Sequence, residues 1–221
     1  MSALFVSLGK TTLMNILSGL DGDYQGSVWR AAAPARRRRS VGWCPQGDAL
    51  FPHLTARETV ELVDSLLGGS GAEGGGVAAL LRLGMGAHLD KQARQLSGGM
   101  RRRLALALAQ AGDPLLLVLD EPSTGCDSAT RELVRREIVG LKSRCAVRAV
   151  ASSPHTSLYA STNPQPPLSL QVLVSTHHYD DVDVLASQPE DCIWFLDERF
   201  LRYRGPLSKV TYAPMLCYAI V

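Results

Sequence analysis

The fold of this chain is decided by residues 115–125, which read LLLVLDEPSTG. The continuous apolar run from Leu115 to Leu119 is typical of a strand buried on both faces, as in a parallel sheet covered by helices. The run ends in Asp120 and Glu121. Because side chains alternate along a strand, we expect these two carboxylates to point in different directions and to take different roles. The alternative interpretation is a solvated strand end.

Other segments on both sides of this run show helical or strand patterns. Apolar spacing and capping residues predict helices over residues 11–20, 55–67, 77–85, 97–112 and 127–143. Apolar runs predict buried strands over 170–175 and 192–197 and an edge strand over 200–205. Since helices alternate with buried strands, the predicted fold class is α/β.

Two segments show neither the helical nor the strand periodicity. Residues 68–76, GGSGAEGGG, predict a flexible linker, and the Ser/Thr/Pro-rich stretch from 151 to 169 predicts a disordered insertion over about 144–169. The predicted organisation is a single domain over residues 1–221, with a helical subdomain over about 47–112.

Composition excludes several classes of protein. The 221 residues include 23 basic and 21 acidic side chains, so the net charge of +2 is too small to predict a nucleic-acid partner. Basic residues are clustered locally, in ARRRRS at 35–40 and MRRRL at 100–104. The five cysteines contain no Cys-x-x-Cys pair, which favours free thiols in a reducing compartment over disulfides or a zinc site. No apolar stretch is long enough to predict a membrane span.

A short motif near the start of the chain is typical of phosphate binding. Residues 9–12 read GKTT at the start of a predicted helix, where backbone N–H groups and the helix dipole favour an anion. The motif is the second half of G-x-x-x-x-G-K-[ST], and Leu4 stands where its first glycine would be. An ordinary helix cap is the alternative interpretation.

Three more polar sites follow apolar segments. Ser97, Gly98 and Gly99 precede a basic helix and form a second candidate anion cradle, although a plain helix cap has the same pattern. Gln46 and His177 each follow a short apolar run. Taken alone, a polar residue such as this histidine is more often a surface residue than a catalytic one.

The order of these motifs resembles that of the ATP-binding cassette (ABC) ATPases. It runs Gly-Lys-Thr-Thr, a Gln after a short strand, Leu-Ser-Gly-Gly with a basic helix, an apolar run ending in Asp-Glu-Pro, Ser-Thr-Gly-Cys-Asp at 123–127, and Ser-Thr-His. The resemblance extends from Gly9 to about Leu207, apart from 144–169. CPQ at 44–46, LSGGM at 96–100 and STHHYDDVDVLA at 175–186 look most like subfamily A, whose members are mostly lipid exporters or flippases.

The resemblance implies a P-loop NTPase-like parallel sheet with a helical signature subdomain, and ATP and Mg²⁺ as cofactors. It implies a Walker A phosphate site formed by Gly9, Lys10, Thr11 and Thr12. It implies metal-site residues Thr11, Gln46 and Asp120.

The catalytic residues implied by the resemblance are Glu121 as general base, His177 as switch histidine and Gln46 as the residue that senses the metal. Ser97, Gly98, Gly99 and Asp127 would contact the nucleotide of a second cassette in a head-to-tail dimer. The same resemblance implies transmembrane partner domains, a lipid substrate acted on indirectly, and a location on the cytoplasmic face of a membrane.

The sequence also departs from the family pattern. There is no room before Gly9 for the family's N-terminal strands and adenine-stacking residue, and residues 127 and 177 are about twice as far apart as is usual. Both departures predict a fragmentary or misassembled reading frame. A soluble ribosome- or chromosome-associated cassette protein and an inactive fragment are therefore kept as alternatives to a transporter domain.

Overall fold

The computed structural model describes residues 3–4, 10–25, 28, 41–47, 49–67, 75–151, 171–176, 178–187, 191, 193–197, 200–205 and 218–220. The helices are α1 (Lys10–Ser18), α2 (Ala56–Leu66), α3 (Gly76–Arg82), α4 (Gly98–Gln110), α5 (Ser128–Ala151) and α6 (Tyr179–Leu185). The strands are β1 (Ala3–Leu4), β2 (Val41–Cys44), β3 (Leu116–Asp120), β4 (Gln171–Thr176), β5 (Ile193–Asp197), β6 (Phe200–Gly205) and β7 (Tyr218–Ile220).

Three parallel strands form the part of the sheet that the apolar runs predict. β3 lies between β2 and β4, with Cys44 opposite Leu119 and Asp120 opposite Ser175. The β3 side chains from Leu117 to Asp120 are all buried, on both faces of the sheet. The prediction of a buried strand ending at the two carboxylates is therefore confirmed, and the carboxyl ends of β2, β3 and β4 lie at the same edge.

The rest of the sheet is antiparallel, which the prediction of a parallel sheet did not include. β6 lies at one edge of the described sheet, as predicted, but it forms an antiparallel hairpin with β5. Two residues between strands allow only an antiparallel pair, because a parallel pair requires a crossover of a dozen residues or more. β7, for which the sequence analysis predicted no strand, pairs antiparallel with β1, β4 and β5.

The helices between β2 and β3 begin where the capping residues predict. Thr55 caps α2 in a capping box with Glu58, and Ser97 caps α4 by accepting a hydrogen bond from the Met100 amide. α4 packs directly against β2, because Gly42 has no side chain: a Cβ there would lie 2.0 Å from the Ala109 carbonyl oxygen. α2, α3 and α4 all fall within the range predicted for the helical subdomain. Residues 68–74 of the predicted linker at 68–76 lie outside the described residues.

Helix α5 is longer than predicted. It runs to Ala151, so residues 144–151, which the sequence analysis assigned to a disordered insertion, have a helical backbone. The physical reason is that this stretch, RCAVRAVA, contains mostly Ala, Arg and other residues that a helix tolerates, and the first proline comes only at Pro154. The remainder of the predicted insertion, 152–169, lies outside the described residues.

One apolar core joins the helices to the sheet. Its largest fully buried side chains come from α1, α3, α4, β3, α5 and α6 and from the turn after α3: Met14, Leu80, Leu83, Met85, Leu104, Leu106, Leu117, Leu119, Ile138 and Leu185. Burying one such side chain stabilises the fold by about 1.5–3 kcal/mol. Among the cysteines with described side chains, Cys44 and Cys126 are buried and are thiols rather than members of a disulfide. None of the helices described here has both the length and the apolar content that crossing a bilayer requires.

Candidate functional site

The shared edge of β2, β3 and β4 gathers polar side chains from distant parts of the sequence. We call Thr11, Gln46, Asp120, Glu121 and Ser175 the strand-end cluster. Thr11 lies in the first turn of α1, and the other four lie at or just after the carboxyl ends of the three parallel strands. The carboxyl edge of a parallel sheet is where ligands bind in open α/β folds.

Asp120 is almost completely buried and accepts hydrogen bonds on both carboxylate oxygens. The Thr11 hydroxyl donates to Oδ2 over 3.0 Å, and the Ser175 hydroxyl donates to Oδ1. The first bond joins residues 109 positions apart and holds the start of α1 against the end of β3. A carboxylate and a hydroxyl oxygen this close match the oxygen ligands that Mg²⁺ prefers.

Glu121 is also buried but has different partners from Asp120. Its Oε2 accepts a hydrogen bond from Gln46 Nε2 over 3.3 Å and from the Thr124 hydroxyl over 3.0 Å. Its backbone has a φ of 48°, in the left-handed region, which is unfavourable for a residue with a side chain. The Glu121 amide donates to the Ser175 hydroxyl over 2.9 Å, and this bond helps to hold the unusual conformation. The two carboxylates therefore serve separate sets of contacts, as strand alternation predicts.

Sequence reasoning missed several residues that support this edge. Ser175 was noted only as part of a motif, and its role depends on the register that places it opposite Asp120. Arg102, one of three consecutive arginines, is buried against the backbone of the loops that follow β2 and β3. Neither residue has a local sequence signal, because each contact depends on how distant elements pack.

Asp181 is a further buried carboxylate that sequence reasoning missed. Its Oδ2 accepts hydrogen bonds from Ser123 over 2.8 Å and from Thr176 over 2.7 Å, and its Oδ1 accepts from Arg135 Nε over 2.6 Å. Asp181 thereby ties α6 to the loop after β3, the end of β4 and α5. In the sequence, Asp181 is one of two adjacent acidic residues at the start of α6. Charge alone would place such a pair on a solvated surface.

The remaining candidate residues form a second group at the starts of two helices. We call Ser97, Gly98, Gly99 and Asp127 the helix-start cluster. Ser97 and Gly98 are exposed, and a Cβ built on Gly98 would meet no atom within 4 Å. A Cβ on Gly99 would lie 3.4 Å from Thr130, so the starts of α4 and α5 are adjacent.

Asp127 caps α5 and is exposed to solvent. Its carboxylate accepts a hydrogen bond from the Thr130 amide over 3.2 Å. Hydrogen bonds from the Thr130 side chain and backbone hold the pKa of the Asp127 carboxyl below its usual value. Beside it, burial raises the pKa of the Cys126 thiol, which is consistent with a packed rather than a reactive cysteine.

The structure describes the other predicted site residues only in part. Lys10 is the first residue of α1, and Thr12 is exposed in its first turn. Gly9 and His177 lie outside the described residues. Among those described, no group of three or more His, Cys, Asp or Glu side chains could hold a metal ion. A site built from Asp120 and Thr11 has few protein ligands, which is the usual arrangement for Mg²⁺ bound together with phosphates.

Comparison with known proteins agrees with this geometry. The model of the ABC transporter family matches residues 7–124, which is more than half of the chain. The chain belongs to the ABC transporter family. It contains an ABC ATPase domain whose sequence is most like subfamily A, as the motif order indicated.

Three relatives illustrate this similarity. The human phospholipid-transporting ATPase ABCA7 is 41% identical over 140 residues, covering 60% of this chain and 6% of its own length. The rat cholesterol transporter ABCA5 is 38% identical over 159 residues, covering 66% and 9%. The macrolide export ATP-binding/permease protein MacB of Syntrophobacter fumaroxidans is 41% identical over 143 residues, covering 58% and 20%. The chain thus spans no more than a fifth of the length of these relatives.

Solved structures with the same fold are also ABC cassettes. The dimeric structure of the bacterial ABC transporter cassette MJ0796 superposes with a TM-score of 0.69 at 24% identity, covering 93% of this chain and 84% of the other. A dimeric post-hydrolysis state of that cassette with ADP and Pi gives 0.67, with coverage of 94% and 85%. The predicted P-loop NTPase-like α/β class is therefore confirmed.

Proposed function

We propose that this chain binds ATP together with Mg²⁺ and hydrolyses it, as the nucleotide-binding domain of a transporter. The observation that carries the proposal is the 3.0 Å hydrogen bond between Thr11 and Asp120. It joins the Gly-Lys-Thr-Thr helix start to the buried carboxylate at the end of β3, which is the arrangement that nucleotide phosphates with Mg²⁺ require.

The residues at the start of α1 bind the phosphates. Gly9 and the α1 amides would bind the anion, the Lys10 ammonium would neutralise the terminal phosphates, and Thr12 would add a further hydroxyl. Thr11 and Asp120 would hold the metal, and Gln46 would sense it. When bound, Mg²⁺ supplies Lewis-acid stabilisation of the phosphate oxygens.

Glu121 acts as the general base. Its carboxylate is buried and accepts hydrogen bonds from Gln46 and Thr124, which orient it. It accepts a proton from the water that attacks the terminal phosphate. His177, which follows β4 directly, supplies a second polar contact to the phosphate.

A second cassette completes the site. Ser97, Gly98, Gly99 and Asp127 are proposed to contact nucleotide held by the partner in a head-to-tail dimer. Two facts support this: the exposure of Ser97 and Gly98 beside Asp127, and the dimeric state of the MJ0796 cassette of the same fold.

We further propose that the domain works with transmembrane domains at the cytoplasmic face of a membrane and drives lipid transport. Support comes from the names of its relatives, a phospholipid-transporting ATPase and a cholesterol transporter. Determining the coding sequence on both sides of this chain tests the idea. Hydrophobic spans are expected, whereas a second cassette with no hydrophobic span contradicts it and favours a soluble cassette protein.

The ATPase proposal is tested by calorimetric titration of this chain with Mg-ATP and by phosphate release. Lys10→Ala should weaken binding by about tenfold or more, because a charge-assisted phosphate contact is lost. The matched control is Lys91→Ala, which removes an exposed lysine far from the strand ends in sequence. Absence of both binding and hydrolysis in the unchanged chain, or equal effects of the two substitutions, contradicts the proposal.

A further inference from the structure

Arg102 is a buried cation with an unusual set of partners. The side chain is 4% exposed. Its Nε donates to the Pro122 carbonyl over 3.2 Å, Nη1 donates to the carbonyls of Pro45 and Gln46, and Nη2 donates to those of Asp120 and Glu121. A guanidinium has five N–H donors, and these five bonds correspond to the whole set.

The five acceptors mark the place where two paired strands separate. The ladder between β2 and β3 has its last pair at Cys44 and Leu119. The carbonyls that Arg102 bonds lie beyond this last β2–β3 pair, although Asp120 still pairs with Ser175 on β4. A buried carbonyl without a donor is costly. Arg102 supplies donors to both loops at once, and its own desolvation is offset by these charge-assisted bonds.

The same side chain acts on the two residues that the proposed ATPase mechanism needs. It holds the backbone of Gln46 and of Glu121, whose side chains contact each other over 3.3 Å. Glu121 is in a left-handed conformation, with its amide bonded to Ser175 on β4 and its carbonyl bonded to Arg102 on α4. Without Arg102, one of the hydrogen bonds that restrain this conformation is lost.

Arg102 also lies on the helix that begins at the helix-start cluster. Ser97 caps α4, and Arg102 follows it within the first two turns of the same helix. On the C-terminal side of Arg102, Leu104 and Leu106 are fully buried, and on its N-terminal side Met100 is partly buried and packs against the core. A displacement of the exposed start of α4 therefore reaches the guanidinium through a short helical segment that is anchored in the core.

We propose that Arg102 is a positioning residue that couples the exposed start of α4 to Gln46 and Glu121, so that contact of a partner at Ser97–Gly99 changes the geometry of this chain's own strand-end cluster. The coupling to catalysis rests on the proposed ATPase function. The coupling of positions, by which we mean the structural link from the start of α4 to Gln46 and Glu121, does not rest on that function. It is measurable without nucleotide.

The test compares Arg102→Lys with Arg82→Lys. Lysine keeps the positive charge, but its single ammonium has three donors and cannot reach five carbonyls on two loops. Arg82 is the matched control, because it bonds to Glu137 and Gln110 on the helices, away from the strand ends. Arg102→Gln replaces Arg102→Lys if the lysine variant does not fold.

The first measurement is amide hydrogen exchange of segments 44–47 and 120–124 in the native chain. Exchange should be about tenfold faster in Arg102→Lys and unchanged in Arg82→Lys, since only the former loses buried hydrogen bonds to these loops. Ser97→Ala, which uncaps α4, should alter exchange at 44–47 and 120–124 in the wild-type background. It should have no such effect in the Arg102→Lys background.

The second measurement is steady-state ATP hydrolysis. Arg102→Lys should lower kcat by about tenfold and change KM for ATP much less, because Arg102 contacts the backbone of the loops that follow β2 and β3 and not the residues at the start of α1 that are proposed to bind the phosphates. Equal exchange in Arg102→Lys and wild type, equal effects of the Arg82 and Arg102 variants, or a Ser97→Ala effect that persists in both backgrounds overturns the proposal. If the exchange pattern holds but the wild-type chain neither binds nor hydrolyses ATP, the ATPase proposal fails and the coupling of positions is supported.

Discussion

The strand-end cluster and the helix-start cluster differ in how their residues are satisfied. In the first, Asp120 and Glu121 are buried and bonded to side chains from other elements of the same chain. In the second, Ser97 and Asp127 are exposed, and their side chains accept hydrogen bonds from amides of the helices they cap. The strand-end cluster is therefore assembled by contacts between distant elements of the chain. The helix-start cluster is an exposed surface whose side chains make the local hydrogen bonds of helix caps.

The sharpest test of the strand-end cluster is Glu121→Gln. This substitution keeps the size of the side chain but removes its ability to accept a proton, so ATP hydrolysis should fall by about a hundredfold or more. ATP binding measured by calorimetry should be retained. The control is Glu132→Gln, which changes a half-exposed glutamate on α5. A variant at position 121 that hydrolyses ATP at the wild-type rate contradicts the general-base role.

The support of the strand ends by Asp181 is tested by Asp181→Ala. Its removal leaves the partly buried Arg135 without its ion pair and takes an acceptor from Ser123 and Thr176, so the free energy of unfolding in urea should fall by about 3 kcal/mol. Asp183→Ala changes an exposed aspartate of the same helix and should alter stability by less than about 0.5 kcal/mol. Similar midpoints for the two variants would mean that the Asp181 contacts contribute little.

The exposed character of the helix-start cluster is tested by a pair of cap substitutions. Ser97→Ala and Thr55→Ala each remove an N-cap and should each cost about 1 kcal/mol of stability. Only Ser97→Ala should also weaken ATP-dependent dimerisation, measured by analytical ultracentrifugation, because Ser97 belongs to the proposed partner surface. Equal dimerisation of the two variants removes the reason to assign Ser97 to that surface.

The smallest expected effect is the pH dependence contributed by Asp127. Its pKa is lower in the folded chain, so the ionised cap stabilises the fold above the carboxyl's ordinary pKa of about 4. That contribution is lost as the pH falls through the lower folded-state value. Asp127→Asn, which caps without a charge, should therefore differ in stability from the wild type near pH 7 and converge with it in acid. A difference that stays constant with pH rules out the charged cap as its source.

Much of the fold was predictable because its signals are local. The β3 run, the capping box at Thr55 and the cap at Ser97 each depend on residues within a few positions of one another, and the structure agrees with all three. The end of α5 was predicted wrongly, because a change in composition was taken for the end of a helix that continues to Ala151. The antiparallel β5–β6 hairpin was also missed, although its short connection was visible in the sequence.

The sequence motifs indicate which residues belong to the candidate site, but not which other residues hold them in place. Asp120, Glu121, Gln46 and Thr11 were chosen from motifs, and the structure brings all four together. Arg102 was not chosen, because three consecutive arginines are equivalent in the sequence until the packing of α4 against β2 buries one of them. Ser175 needed the strand register for the same reason.

The sequence by itself determined which elements form and which polar residues stand at their ends, since apolar periodicity and capping are short-range properties. Only the tertiary structure decided which of those residues share a site and which face solvent. The contacts that decide it join positions far apart in the chain, such as Thr11 with Asp120 and Arg102 with Pro45. Such contacts follow from sheet register and from the closeness of α4 to Gly42, which no local pattern encodes.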